Sequence, residues 1–169
     1  LISESYYKTF IAQKEIAATA IELGLAPGKL ASDFVNSVPK LAQYGKQSIN
    51  IFKELASQSK ATGLSIDNLI NISQQFDTFE GAATAAGKLN AILGGGLLNS
   101  VDLLTATESE RIQMLRDSVT LSGKNFNEMS KFEKMALSNA AGIKDLSEAA
   151  RLFGSSAEEF DKVKKAQEA

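Results

Sequence analysis

The chain has 169 residues, of which 44% are hydrophobic and 22% charged, and it contains no histidine, cysteine or tryptophan. It therefore lacks the commonest general base, the commonest soft metal ligands and the thiol nucleophile. We accordingly predict no catalytic, cofactor-binding or metal-ligating residue. The net charge of −2 is spread evenly along the sequence, which gives no support to nucleic-acid binding through phosphate neutralisation. A start at Leu1 rather than Met suggests a piece of a longer polypeptide.

Helix-start and helix-stop signals repeat along the sequence and predict an all-α fold of eight or nine short amphipathic helices in a compact helical domain. The expected helices are 2–23, 28–37, 39–62, 66–76, 79–93, 108–122, 131–141, 144–153 and 157–168. We divide the chain into an N-terminal helical segment (1–78), an alanine- and glycine-rich helix with a hinge (79–106) and a C-terminal helical segment (107–169). Together they form one domain of a longer chain.

Glycines and capping residues mark the ends of the predicted helices, mostly in the first segment. Gly24 and Gly63 are each followed by leucine, and Gly142 by isoleucine, the sequence typical of a left-handed residue that ends a helix. Pro39 suits a first helical turn, where its missing N–H costs nothing, and Ser65 suits an N-cap. The glycine stops are spaced at one and two periods of about 40 residues, so stacked helix-pair repeats remain an open architecture.

The middle segment invites two functional interpretations that its residues do not favour. Gly81 to Lys88 superficially resembles a phosphate-binding loop, but the spacing is wrong and Leu89 stands where a Ser or Thr should follow the lysine. The weakly polar run 82–104 has the length of a membrane span, yet it contains charged residues and the triplet Gly94, Gly95 and Gly96. We predict a helix, a hinge at the triplet, and a short apolar segment that packs on the core.

The last segment carries two capping boxes, Thr107 with Glu110 and Ser130 with Glu133. Acidic pairs such as Asp77 with Glu80, and Glu108 with Glu110, fall in or beside first helical turns, where the helix dipole stabilises them. They are therefore better explained by helix starts than by acid–base chemistry. Helical spacing predicts a core that includes seven large residues. These are Phe52, Leu55, Leu69, Ile70, Phe76, Leu115 and Phe132.

Three sequence blocks between residues 76 and 154 carry a family resemblance. They are FDTFEGAA (76–83) with GKLNAILG (87–94); LLTAT (103–107) with Glu110 and Arg111; and KFEKMA (131–136) with NAAGI (139–143) and LFG (152–154). In these blocks, nearly half of the chain resembles the tape measure proteins of long-tailed bacteriophages. The family's peptidase and peptidoglycan-hydrolase insertions have no counterpart here, since their His and Cys are absent. Its long heptad helices are also missing, so we expect a globular domain rather than the measuring rod.

The resemblance implies a structural virion protein that takes part in tail length determination, tail assembly and genome ejection. It places the protein inside the tail tube or tail tip of the virion, and in the host cytoplasm during assembly. The implied partners are tail-tube proteins, baseplate or hub proteins and further copies of the chain, in a trimer or hexamer. Membrane contact is expected only during ejection.

Two other classes of function compete with this interpretation. A helical repeat adaptor would bind a partner peptide or helix in one concave groove and would be monomeric. A hydrolase built from serine and carboxylates ranks last, because the sequence has no nucleophile elbow and no histidine.

Overall fold

The structure is a computed structural model that describes residues 2–154 and residue 165, with side chains from residue 12 onward. Within that part of the chain the fold is all-α, as predicted, and has no strand. The helices are α1 (Ile2–Leu23), α2 (Pro27–Leu41), α3 (Ser48–Thr62), α4 (Ile66–Gln74), α5 (Phe79–Leu93), α6 (Ser100–Thr105), α7 (Glu108–Leu121), α8 (Lys131–Ala140) and α9 (Leu146–Gly154). Short 3₁₀ turns span Ala42–Gln47 and Phe126–Glu128. The predicted helix 157–168 lies outside the described residues.

Helix α7 is the centre of the packing and contacts α3, α4 and α9. Helices α1 and α2 pair with each other and pack on α3, while α5 and α6 form a hairpin that contacts α8 through α5. Six of the seven predicted core residues are buried here. They are Phe52, Leu55, Leu69, Ile70, Phe76 and Leu115.

The predicted glycine stops and serine and threonine caps are confirmed. Gly24, Gly63 and Gly142 have φ values of 68°, 76° and 74°, in the left-handed region that favours glycine. Ser65 Oγ accepts a hydrogen bond from the Asn68 backbone N–H at 3.1 Å. The Thr107 and Ser130 hydroxyls accept from the backbone N–H groups of Glu110 and Glu133 in the same way. These bonds satisfy N–H groups that the first turn of a helix leaves without a partner.

The predicted break between the second and third helices is in the wrong place. Pro39 lies inside α2 instead of starting a helix, and α2 continues to the buried Leu41. The chain bends at Gly45, which has φ 55° and ψ −122°. Only glycine adopts that conformation without strain, whereas a proline near the end of a helix removes one hydrogen bond without preventing the last turn.

The predicted burial of Phe132 is also wrong, because its side chain is 80% exposed. Helix α8 carries apolar residues on two faces, and helical spacing alone does not decide which of them turns inward. The structure buries the face with Leu137 and Ala140 and leaves the face with Phe132 and Met135 exposed.

The run 82–104 folds as most of α5, a glycine-containing loop and most of α6. Helix α6, which we did not predict, is only six residues long. Its N-cap is Asn99, whose side chain accepts from the Val101 and Asp102 N–H groups. In the part of the chain that the structure describes, no helix combines the length and hydropathy needed to cross a membrane.

Candidate functional site: a buried polar cluster and an exposed surface

Helix α7 buries polar side chains in the centre of the protein. Glu108, Ser109, Arg111 and Arg116 are each at most 3% exposed. Burial of charged groups is costly unless they are paired and hydrogen-bonded. Their partners therefore determine what this cluster does.

Arg111 is the most densely bonded of these residues. Its Nε donates to the Leu103 carbonyl at 2.7 Å, and its Nη2 donates to the Leu104 carbonyl at 2.9 Å. On the opposite side, Nη1 donates to the Ser73 carbonyl at 3.0 Å and to Asp77 Oδ1 at 2.5 Å, while Nη2 also donates to the Phe76 carbonyl at 3.2 Å. An arginine has five N–H donors, and all five can be satisfied by these protein acceptors.

These five bonds bring together two distant points of the chain. Ser73, Phe76 and Asp77 precede α5, while Leu103 and Leu104 belong to the last turn of α6. A cation at the carbonyl ends of α4 and α6 is also stabilised by the two helix dipoles. Arg111 therefore fastens both ends of the α5–α6 hairpin to α7.

A second part of the cluster joins α7 to α3. The Ser109 hydroxyl donates to Glu54 Oε2 at 2.5 Å, and Gln58 Nε2 donates to the Ser109 carbonyl at 2.6 Å. Tyr44 lies beside Glu108, and burial, followed by the neighbouring Glu108 carboxylate, raises the pKa of Tyr44 from 10.0 to about 12. The surroundings of Tyr44 therefore disfavour loss of its phenol proton.

Arg111 binds an acidic side chain and backbone carbonyls, and the Ser109 hydroxyl binds an acidic side chain. Asp77, from the first acidic pair, binds Arg111, and Glu108, from the second, is buried against Tyr44. Among the described residues there is no group of three His, Cys, Asp or Glu side chains placed to hold a metal ion. The arrangement supports a structural role, in which hydrogen bonds and one ion pair connect the helices.

The predicted hinge residues lie between α5 and α6, where one side chain spans the loop. Gly94 ends α5 with φ 89°, and Gly95 and Gly96 follow it. Asn90 Oδ1 accepts from the N–H groups of Leu97 (3.0 Å) and Leu98 (2.8 Å), and Asn90 Nδ2 donates to the Leu98 carbonyl at 2.8 Å. The role of the triplet as a hinge remains a prediction.

The segment Gly81–Lys88 is helical and lies within α5, as expected from its composition. Gly81 has a packing role, because a Cβ at this position would lie far inside contact distance of the Gln75 carbonyl oxygen and 2.9 Å from Thr78 Oγ1. Gly87, on the same helix, has no atom near its missing Cβ. Only the first of the two glycines is required by its surroundings.

An exposed surface runs along α5 and α8. A shallow groove of about 380 Å³ lies between these helices, with Glu80, Thr84 and Lys88 on one side and Asn139 on the other. Large apolar side chains are exposed on the same two helices: Phe79 (62%) on α5, and Phe132 and Met135 on α8. A contiguous patch of exposed apolar residues is typical of a surface that contacts other molecules, whereas singly exposed ones are common on any protein surface.

The sequence did not predict that Arg111 connects helices, although the residue is part of the second block of the family resemblance. One signal was present, because Arg111 lies four residues before the core residue Leu115 and so shares its helix face. A charge within a buried stripe indicates a residue that needs several acceptors.

No family model, curated protein or solved structure matches the chain.

Proposed function

We propose that this chain is a non-enzymatic structural domain of a tape measure protein of a long-tailed bacteriophage. In this role it takes part in tail length determination, tail assembly and genome ejection, near the tail tip. As a helical globular portion it forms contacts with neighbouring proteins, and other parts of the parent chain act as the measuring rod.

The observation that carries the proposal is that the three blocks of the family resemblance meet in space. Asp77 from the first block and Leu103 from the second both bind Arg111. The third block lies beside the first, because α8 packs on α5 and because Gln75, the residue before the first block, donates through Nε2 to the Ala141 carbonyl. Gly142 lies so close to Gln75 that a Cβ there would stand 2.8 Å from Gln75 Oε1. Blocks that are scattered in sequence thus form one structural unit, as expected if the resemblance reflects a shared fold.

The proposed partners are further copies of the chain, in a trimer or hexamer, together with tail-tube and baseplate or hub proteins. Identical chains usually assemble with closed symmetry, which requires a surface suited to a neighbouring copy. The exposed Phe79, Phe132 and Met135 on α5 and α8 support such a role. The proposed location is the virion, with membrane contact only during ejection.

The test combines particle composition with oligomeric state. Immunoblots of purified and denatured phage tails, with antibodies raised against the chain, should detect it. Light scattering on the purified chain should give a trimer or hexamer. The substitution Phe132→Ser should lower the oligomer mass. Leu121→Ser is the matched control, because Leu121 is similarly exposed (71%) on α7.

A helical adaptor is the second candidate, favoured by one cleft. The cleft measures about 410 Å³ and is lined by Leu25, Leu30, Leu64 and Ile66, with Lys60 among its polar residues. An apolar concavity with few polar groups is the form of a site that binds a peptide or small ligand. A monodisperse monomer that binds no tail protein would contradict the tail proposal and favour the adaptor.

A further inference from the structure

The α5–α6 hairpin is attached to the rest of the protein at its base, where Arg111 binds it, and along one side. There α5 packs on α8, and the Ile92 carbonyl accepts from Lys124 Nζ at 3.0 Å. Helix α6 packs chiefly on α5, and α5 packs chiefly on α6 and α8. Both ends of the hairpin converge on Arg111, through Phe76 and Asp77 before α5 and through Leu103 and Leu104 in α6. A single side chain thus closes a loop of chain that runs from residue 77 to residue 103.

The face that α5 buries is poor in large side chains. Three of its five buried residues are alanines: Ala82, Ala85 and Ala86. Each contributes little area to the apolar contact, and the hydrophobic stabilisation of an interface scales with that area. The polar bonds of Arg111 therefore add to an apolar contact in which alanines take the place of larger side chains, while Leu89 and Leu93 supply its larger members.

Within the hairpin, the connection between the helices is fastened locally. The three hydrogen bonds of Asn90 to Leu97 and Leu98 span the glycine triplet. They connect the segment just before α6 to the last turn of α5. Bending at Gly94–Gly96 would break all three bonds. Rotation of the whole hairpin about its base would leave them intact.

We propose that the α5–α6 hairpin, residues 79–105, opens and closes as one unit about its base. Arg111 is the clasp, by which we mean the residue whose hydrogen bonds hold this base closed. Opening breaks the bonds of Arg111, the packing of α5 on α8 and the bond from Lys124 Nζ to the Ile92 carbonyl. It also hydrates the guanidinium from the side of Asp77, which is already half-exposed. The flexing point is therefore the base of the hairpin and not the glycine triplet. This property depends on the contacts of the chain alone and holds whichever protein the chain assembles with.

Amide hydrogen exchange of the complete 169-residue chain tests the proposal, because it measures opening region by region. In the unsubstituted chain, the slow amides of α5 and α6 should exchange at a common rate, faster than those of α3, α4 and α7. Arg111→Lys keeps the charge, but the lysine ammonium has only three donors on one nitrogen and cannot bind all five acceptors. It should accelerate exchange in 79–105 on the order of a hundredfold and exchange in α3 by much less.

Two milder variants keep the test decisive if Arg111→Lys does not fold. Asp77→Asn removes one charged acceptor from an exposed position, and should accelerate exchange across 79–105 by about tenfold, selectively. Asn90→Ala should accelerate exchange only around 94–98. Asn71→Ala, at an exposed amide on α4, is the control and should change neither region.

Two results would overturn the proposal. One is that α6 exchanges faster than α5 in the unsubstituted chain or after Asn90→Ala, which would make the glycine triplet the hinge. The other is that the Arg111 or Asp77 substitution accelerates α3 and α7 as much as the hairpin. Arg111 would then stabilise the whole fold and would not act as a clasp.

Discussion

Two glycines of helix α5 should respond in opposite ways to the same substitution. Gly81 and Gly87 share a helix and differ chiefly in what surrounds the missing Cβ. An alanine at position 87 meets no atom within 4 Å. It should therefore stabilise the protein by about 0.5–1 kcal/mol, the usual difference in helix propensity between the two residues.

An alanine at position 81 would collide with the Gln75 carbonyl oxygen and would crowd Thr78 Oγ1, the N-cap acceptor for the Gly81 N–H. Backbone atoms cannot rotate away as a flexible side chain can, so the turn before α5 must shift. Such overpacking costs about 1–3 kcal/mol, which exceeds the propensity gain. We therefore expect a net loss of stability of about 1–2 kcal/mol for Gly81→Ala.

Thermal and denaturant unfolding of the two variants provide the assay. In a chain of this size, each kcal/mol shifts the melting temperature by about 2–4 °C. Gly87→Ala should therefore melt about 2 °C above the unsubstituted protein, and Gly81→Ala about 3–6 °C below it. If both variants melted higher than the unsubstituted protein, the turn around Gln75 would be looser than the structure shows and the reasoning would be refuted.

Three further outcomes can be measured on the same protein. Phe76→Ala should cost on the order of 3–5 kcal/mol, because Phe76 is fully buried and its truncation leaves a cavity; unchanged melting would contradict its place in the core. Phe132→Ala should change the stability of the chain by less than about 0.5 kcal/mol at a concentration where light scattering gives a monomer, because the side chain is exposed; a large loss there would mean that the face of α8 with Phe132 turns inward after all. The raised pKa of Tyr44, about 12 in the folded protein against 10.0 ordinarily, stabilises the fold below pH 10, and this contribution is lost as the pH rises from about 10 to 12. Tyr44→Phe should remove that loss from the pH dependence of the denaturation midpoint, and parallel curves for the two proteins would count against the burial of Tyr44 beside Glu108.

Features that depend on nearby residues could be predicted from the sequence. The caps at Ser65, Thr107 and Ser130 each need a backbone group only three residues away. The glycine stops at Gly24 and Gly63 depend on one backbone angle each. Local chemistry of this kind fixes where most helices begin and end.

Features that depend on distant residues could not be predicted in the same way. The choice between the two apolar faces of α8 is made by its packing on α5 and α9. The position of the bend after α2 is set by Gly45, while the burial of Leu41 holds the extra turn beyond Pro39. The acceptors of Arg111 lie as far away as Ser73, 38 residues earlier in the chain. No local pattern specifies a partner at that distance.

The bonds of Asn90 and Arg111 also define an order of assembly during folding. The contacts of Asn90 span only seven or eight residues, and contacts of such short separation form fastest because little loop entropy is lost. The bonds of Arg111 span up to 38 residues, from Ser73 to Arg111. The hairpin loop is thus fastened at a smaller loss of loop entropy than the base that Arg111 closes. Closure of that base, which buries the guanidinium, then coincides with the docking of α7.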